Sequence, residues 1–107
     1  MSMEPVSDLA TVKLHDMSLT RITLEWKAGW CTFEIDGPVV PGASGARLRW
    51  TGVTALEIPR KFPWGPSISI LEARGPIDSR YEIIVQSGDT IAVRASGCEI
   101  DVIRVAV

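Results

Sequence analysis

The amino-acid sequence predicts an all-β protein, and its composition and its residue pattern both carry that prediction. Of the 107 residues, 28 are Val, Ile or Thr and only 7 are Leu. Such β-branched side chains suit a pleated sheet and disfavour long helices. Nine Gly and seven Pro divide the chain into short pieces, several with alternating apolar and polar residues. We expect one domain over residues 1–107 with a loose leader at 1–12. Its fold is a mainly antiparallel β-sandwich or strongly curved sheet of about seven or eight short strands.

The first confident hairpin joins a strand at 19–26 to a strand at 31–36. A four-residue turn at 27–30 sets Trp26 opposite Cys31 and keeps every facing pair apolar, whereas a three-residue turn would set Leu24 opposite Thr32. A slip by one residue turns a core face outward. We therefore expect the four-residue turn, with Trp30 inside it.

The middle of the chain predicts a strand with one basic face. Between 46 and 51, apolar residues alternate with Arg47, Arg49 and Thr51. A turn at 52–54 would bring the chain back along this strand, while the alternative is a bulge at Gly52 within one bent strand over 46–58. Residues 67–71 predict a further short strand.

The C-terminal third predicts a three-stranded meander. A three-residue turn at 87–89 sets Val85 opposite Ile91, and a two-residue turn at 96–97 sets Ala95 opposite Cys98. In these registers Arg94 lies between Glu82 and Glu99, and opposite charges on neighbouring strands favour the pairing.

The composition also limits the chemistry that the chain can perform. One His and two Cys do not provide the ligand spacings of zinc fingers, and we expect no metal and no cofactor. Cys31 and Cys98 both fall on predicted core faces. We expect buried free thiols there, with a disulfide between facing sheets as the alternative.

The only histidine, His15, stands beside Asp16 just before the first confident strand. An imidazole next to a carboxylate could act as a general base. On an extended strand, however, adjacent side chains point to opposite sides. The simpler interpretation is a turn whose side chains bond the local backbone.

The segment 60–66 places two cations, two aromatic rings and two prolines in one loop. It adjoins a basic zone, because residues 47–61 carry four basic residues and one acidic residue while the flanking parts are acidic. Tryptophan and arginine concentrate at binding surfaces. The candidate binding residues are therefore Arg47, Arg49, Arg60, Lys61 and Trp64, together with His15 and Asp16. The alternative is that Trp64 folds back and plugs one end of the sandwich.

The order Leu14-His15-Asp16, an alternating strand ending in Trp26, and the stretch Trp50-Thr51-Gly52-Val53 resembles small uncharacterised bacterial β proteins. Some of these are immunity proteins of toxin systems. The resemblance spans residues 14–100 in outline and carries over no catalytic residue. It implies a small cytoplasmic protein that binds a partner.

These observations together favour a non-enzymatic protein-interaction module that binds another protein or a second copy of itself as a homodimer. Nucleic acid is not expected as a partner, since the net charge is −2 and the basic zone is small. No membrane is expected as a partner either, because no apolar run approaches the length of a membrane span. The alternative is a pocket around His15 and Asp16 that binds or hydrolyses a small ligand.

Overall fold

A computed structural model describes residues 3–5, 9, 12–59 and 68–104 of the chain. These described residues form nine strands, compared with the seven or eight that the sequence predicts. No helix among them is long and apolar enough to cross a membrane. The strands are β1 (Met3–Pro5), β2 (Ser18–Glu25), β3 (Trp30–Asp36), β4 (Ala43–Thr51), β5 (Ala55–Glu57), β6 (Ile68–Ile77), β7 (Arg80–Val85), β8 (Thr90–Arg94) and β9 (Gly97–Arg104). The short strand β1 lies within the expected leader.

The strands form one open antiparallel sheet in the order β1-β9-β4-β3-β2-β6-β7-β8-β5. Its two halves meet where β2 and β6 pair, and among the described residues that pairing joins Ser18 with Ser69 and Leu19 with Ile68. The first half contains β1, β9, β4, β3 and β2, and the second contains β6, β7, β8 and β5. The all-β, antiparallel prediction with a curved sheet is therefore confirmed.

Trp50 on β4 connects the two halves in the core. Its side chain is fully buried. Its ring centroid lies 4.4 Å from that of Phe33 on β3 and 6.0 Å from that of Tyr81 on β7, both in edge-to-face geometry. The alternation predicted for 46–51 is confirmed, since the apolar residues of β4 are buried and Arg47 and Arg49 are only partly so. The core thus lies between the inner faces of both halves.

The register of the first hairpin differs from the prediction by two residues. Leu24 pairs with Cys31 and Glu25 with Trp30, so the turn spans 26–29 and Trp26, rather than Trp30, lies in it. A shift of two leaves each side chain on the same face, and apolar pairing cannot distinguish the two registers. The turn ends at Gly29, whose φ of 73° favours glycine.

The predicted meander is wrong in its connectivity. Tyr81 pairs with Val93, again two residues from the expected register. β9 pairs with β4 and β1 instead of β8. The chain crosses between the halves at Ala95 and Ser96, whose amides donate to Ser79 O at 2.9 Å and Thr51 O at 3.0 Å respectively.

Arg94 consequently does not lie between two carboxylates. It lies opposite Arg80 of β7, and its side chain donates to Asp78 O at 3.0 Å. Glu82 is held instead by Arg74 at 2.8 Å and by Arg80 at 3.3 Å. The hydrogen bond from Arg74 lowers the pKa of the Glu82 carboxyl below its usual value.

Both interpretations of residues 52–58 are wrong as well. The strand β4 ends at Thr51, and β5 pairs with β8 in the second half rather than with β4. The contact with β8 begins at Thr54, whose amide donates to Arg94 O at 2.9 Å. The expected strand at 67–71 is found as part of β6, which continues to Ile77.

The two cysteines are free and buried. Both lie opposite Trp50, one on each neighbouring strand. Two strand spacings separate their backbones by roughly 10 Å, whereas a disulfide requires Cα atoms within about 7 Å. Burial raises the pKa of Cys31 to about 11, and burial together with nearby Glu99 raises that of Cys98 to about 12.

Because folding raises the pKa of both thiols, we expect the protein to lose stability at alkaline pH. An unfolded thiol has a pKa of about 8.5, so the folded chain favours the neutral form. The preference for neutral thiols contributes fully to the free energy of unfolding below about pH 8.5, and this contribution is lost as pH rises towards the folded pKa values. Urea unfolding at increasing pH should show this fall, and it should be shallower in a Cys31→Ala, Cys98→Ala double variant. Equal slopes in the two proteins would contradict the prediction.

Candidate interaction surface

An apolar groove lies where the β2–β3 hairpin meets β5. We call it the hairpin groove, and its volume is about 730 Å³. None of the lining side chains that the structure describes is charged, and Thr54 is the one polar residue among them. The lining residues are Leu24, Trp26, Gly29, Val53, Thr54, Ala55, Leu56 and Ile58.

Local backbone contacts hold the two walls of the hairpin groove together. The turn at 26–29 is closed by the Gly29 amide, which donates to Glu25 O at 2.9 Å. The Val53 amide donates to Gly29 O at 2.8 Å and so attaches the segment before β5 to this turn. The groove is therefore built by the turn residues that follow β2 and by the short segment that follows β4.

Large apolar side chains at the hairpin groove are left in contact with solvent. Trp26 is 87% exposed, and Leu24 and Ile58 are 40% and 46% exposed. Single exposed apolar residues are ordinary on protein surfaces, but a contiguous apolar patch marks an interaction site. These three belong to one lined groove, so they form such a patch.

Two strand edges beside the same groove have no partner strand among the described residues. In the sheet order β5 is a terminal strand, and within the described ranges its partner is β8. Beyond Leu19, the part of the chain that the structure describes pairs β2 with β3 alone. An unpaired edge presents backbone donors and acceptors that can bind a further strand.

His15 and Asp16 occupy a turn before β2, and neither lines the hairpin groove. His15 Nδ1 lies 2.6 Å from Leu71 O and its Nε2 lies 3.4 Å from Asp16 Oδ2. Asp16 has a φ of 66°, which brings the two side chains together as an extended strand would not. Its Oδ1 accepts from Gln86 Nε2 at 3.4 Å. These contacts attach the turn to β6 and to the residue after β7.

Arg47 belongs to a row of alternating charges on the outer face of the first half. Its Nε lies 3.7 Å from Glu34 Oε1 and its Nη1 lies 3.8 Å from Asp101 Oδ2. Glu34 also faces Arg21, with 3.6 Å between Oε2 and Nε. The positive charge of Arg47 is therefore balanced within the sheet, and Arg47 is not part of the groove lining.

Arg49 lies on the same outer face as Arg47 and stacks on Trp30. Its guanidinium carbon is 4.6 Å from the ring centroid, which is cation–π geometry. The structure thus brings Arg47 and Arg49 to one face of β4 but separates them from His15 and Asp16. The other candidates, Arg60, Lys61 and Trp64, lie outside the described residues.

The groove residues themselves were not among the sequence candidates. The prediction of a turn at 27–30 placed Trp26 on a strand, and the prediction of a β4–β5 pair gave Leu56 and Ile58 a neighbour. Gly29 carried the one signal that favours the correct turn, since four-residue turns commonly end in a residue with positive φ. Which strand accepts β5 is a long-range property that no local signal specifies.

The chain was compared with protein families, curated proteins and solved structures. No family model and no curated protein matches it. Among solved structures it is similar to an uncharacterized protein from Neisseria gonorrhoeae, with a TM-score of 0.49 and 13% sequence identity over 94% of this chain and 98% of that chain. The comparisons show neither a family nor a link to immunity proteins of toxin systems.

Proposed function

We propose that this chain is a non-enzymatic protein-interaction module that binds another protein in the hairpin groove. The observation that supports it is the groove whose described lining carries no charge and includes Trp26, which is 87% exposed. Tryptophan is the side chain most enriched among residues that dominate binding energy. A polypeptide partner could bury this indole together with Leu24 and Ile58.

A protein partner fits this surface better than a small polar ligand does. Small-molecule sites combine an apolar enclosure with a few convergent polar groups, whereas the lining residues that the structure describes offer a single threonine hydroxyl. Among the described residues, β2 beyond Leu19 and β5 each have one edge without a partner strand, and such an edge can pair with an added strand. A toxin, as the resemblance to immunity proteins implies, is one partner of this kind, and a cytoplasmic location belongs to the same proposal.

The proposal predicts that binding depends on Trp26. We expect Trp26→Ala to weaken partner binding by about thirtyfold, because truncating an interface tryptophan commonly costs about 2 kcal/mol or more. Ile77→Ala is the matched control, since Ile77 is an exposed apolar residue that does not line the groove. Proteins retained on immobilised wild type and on Ile77→Ala, but lost on Trp26→Ala, are the specific partners.

Hydrogen exchange with a purified partner then locates the contact. Slowed exchange at 22–25 or 55–57 is the expected result. The proposal is wrong if Trp26→Ala retains the same proteins in the same amounts as the wild type. The contacts of His15 and Asp16 fit a turn that is held by hydrogen bonds, and no observation favours a catalytic or ligand-binding role for them over this interaction.

A further inference from the structure

We propose that Arg80 and Arg94, which we call the arginine pair, bind a carboxylate group of the partner protein. The inference rests on the proposed function, because it places an acidic residue beside the partner segment that fills the hairpin groove. It is carried by the register of β7 and β8, by the ion pairs on the outer face of the second half of the sheet, and by the position of Arg94 next to the groove wall.

The arginine pair lies on the outer face of the second half. Arg80 of β7 and Arg94 of β8 are directly opposite each other. Each follows or precedes a buried inner-face residue, Tyr81 or Val93, so the alternation of the strands directs both arginine side chains outwards. Facing residues of an antiparallel pair have Cβ atoms about 5 Å apart, where like charges repel. Two facing guanidinium groups are therefore favourable when an anion lies close to both.

Glu82 balances part of this positive charge. Its carboxylate accepts from Arg74 Nε at 2.8 Å and from Arg80 Nε at 3.3 Å. Arg94 bonds a neutral acceptor instead, since its Nη1 donates to Asp78 O at 3.0 Å. No carboxylate among the described residues forms an ion pair with Arg94. An arginine has five N–H donors, so Arg94 keeps donors that an added anion can use.

The arginine pair is accessible from solvent. Arg94 is exposed, and the side chain of Arg80 is 37% exposed. Both belong to the range 68–104, which the structure describes without a gap. A group on a partner can therefore reach both guanidinium groups from the outer face.

Arg94 also adjoins a wall of the hairpin groove. On the side away from Arg80 it lies opposite Ala55 of β5, and its carbonyl accepts from the Thr54 amide at 2.9 Å. Thr54 and Ala55 both line the groove. A partner segment seated against this wall lies one strand spacing from Arg94. Because the described groove lining is uncharged, a carboxylate at this point would fix the orientation of an otherwise apolar contact.

A carboxylate is the anion that suits both the arginine pair and a protein partner. Guanidinium groups bind carboxylates through parallel N–H···O bonds, often two at a time. The same face already holds one carboxylate in this way, since Arg74 and Arg80 both contact Glu82. A carboxylate between Arg80 and Arg94 would repeat that arrangement, with the acidic group supplied by the partner.

Titration with a short acidic peptide tests the inference. The probe is a capped peptide of two leucines and two glutamates, and NMR follows the Nε–H signals of Arg80 and Arg94. Both signals should shift, with a dissociation constant on the order of 1 mM, because exposed ion pairs contribute little individually. The same peptide with glutamines in place of both glutamates should leave them unchanged. Inorganic phosphate is the third probe, and a response to phosphate without a response to the acidic peptide would overturn the inference.

Substitutions then locate the binding on the arginine pair. Arg94→Gln should raise the dissociation constant of the acidic peptide about fivefold or more, and Arg94→Lys, which keeps the charge but loses the planar fork, should raise it less. Arg104→Gln is the matched control. Arg104 also donates from Nη1 to one backbone carbonyl, Pro41 O at 3.1 Å, but it lies opposite Ala43 rather than an arginine. Its replacement should leave peptide binding unchanged.

Glu82→Gln provides a test in the opposite direction. It removes the carboxylate that holds Arg74 and Arg80, so the Arg80 guanidinium becomes available and the acidic peptide should bind several times more tightly. An arginine pair with a structural role alone predicts no such gain. Thermal unfolding of every variant confirms that it is folded at the temperature of the titration.

Three further results would overturn the inference. They are equal shifts with the two peptides, equal effects of Arg94→Gln and Arg104→Gln, and no gain in Glu82→Gln. A purified partner separates these outcomes from the proposed function. If Trp26→Ala loses that partner while Arg94→Gln binds it as tightly as the wild type does, the proposed function stands and the inference fails. If neither substitution weakens binding, both are wrong.

Discussion

Replacement of the central tryptophan, Trp50→Ala, is expected to lower the free energy of unfolding by about 3–5 kcal/mol, or to prevent folding altogether. Trp50 is fully buried and packs on Phe33 within the first half of the sheet and on Tyr81 within the second. Its removal therefore opens a cavity at the contact between the halves. Urea unfolding followed by circular dichroism measures the loss.

Trp50→Phe separates packing from hydrogen bonding at this position, and Trp26→Ala is the control for an exposed tryptophan. Trp50 Nε1 has no hydrogen-bond partner among the described residues, so Trp50→Phe removes a buried unpaired donor as well as part of the ring. It should cost clearly less than Trp50→Ala. Trp26→Ala should change stability by less than about 0.5 kcal/mol, as substitutions of exposed residues do. A small effect of Trp50→Ala would show that the halves do not pack through this ring.

Gly75→Ala is expected to lower the free energy of unfolding by about 3 kcal/mol or more. Gly75 on β6 has a φ of 116°, and a Cβ there would lie 2.6 Å from Arg80 O and 2.9 Å from Tyr81 Cα. The backbone conformation alone costs an ordinary residue about 1–3 kcal/mol. The clash adds to this because both contacted atoms belong to the backbone of β7 and cannot move aside without disturbing the strand pair.

Gly88→Ala is the matched control for Gly75→Ala. Gly88 also has a positive φ, 98°, but nothing lies within 4 Å of the position that a Cβ would take. It should show the conformational cost without the clash, about 1–2 kcal/mol. Equal losses in the two variants, measured by urea unfolding, would mean that the approach of β7 to Gly75 has no energetic consequence.

Local alternation explains how far the fold could be predicted from the sequence. The faces of β3, β4, β7 and β8 followed from which residues alternate, and each was confirmed. The registers of two hairpins were displaced by two residues, as in the placement of Leu24 opposite Cys31. A displacement by two keeps the core face intact, so only turn geometry distinguishes the two registers. In the first hairpin that geometry depends on Gly29, whose positive φ ends the turn.

Strand partners were less predictable than strand faces. An apolar pair such as Val93 and Ile100 is equally favourable whether or not the two strands are neighbours, so the sequence favours a hairpin with a two-residue turn at 96–97. In the folded chain the backbone near residues 96–97 instead passes from the second half of the sheet to the first. The preference of β9 for β4 arises from the whole of its length, including the pairing of Arg47 with Asp101 and of Arg49 with Glu99.

The candidate site of the structure differs from the residues that the sequence singles out. The sequence predicts a binding loop at 60–66 with Trp64, which lies outside the described residues, and the groove that the structure shows includes Trp26. Arg47 and Arg49 were drawn as binding residues from their charge, but their partners Glu34, Asp101 and Trp30 lie on neighbouring strands. The sequence alone does not reveal such partners, because they depend on the order of strands.

The crossing at Ala95 and Ser96 has a consequence for the order in which the chain can fold. β9 lies between β1 and β4, so one edge of β4 stays unpaired until β9 has been synthesised, as the pairing of Trp50 with Cys98 shows. Contacts of such large sequence separation slow folding. During synthesis the hairpin β3–β4 must therefore persist with one side uncovered while 55–94 emerge, and that interval is when the nascent chain is most prone to associate with other chains.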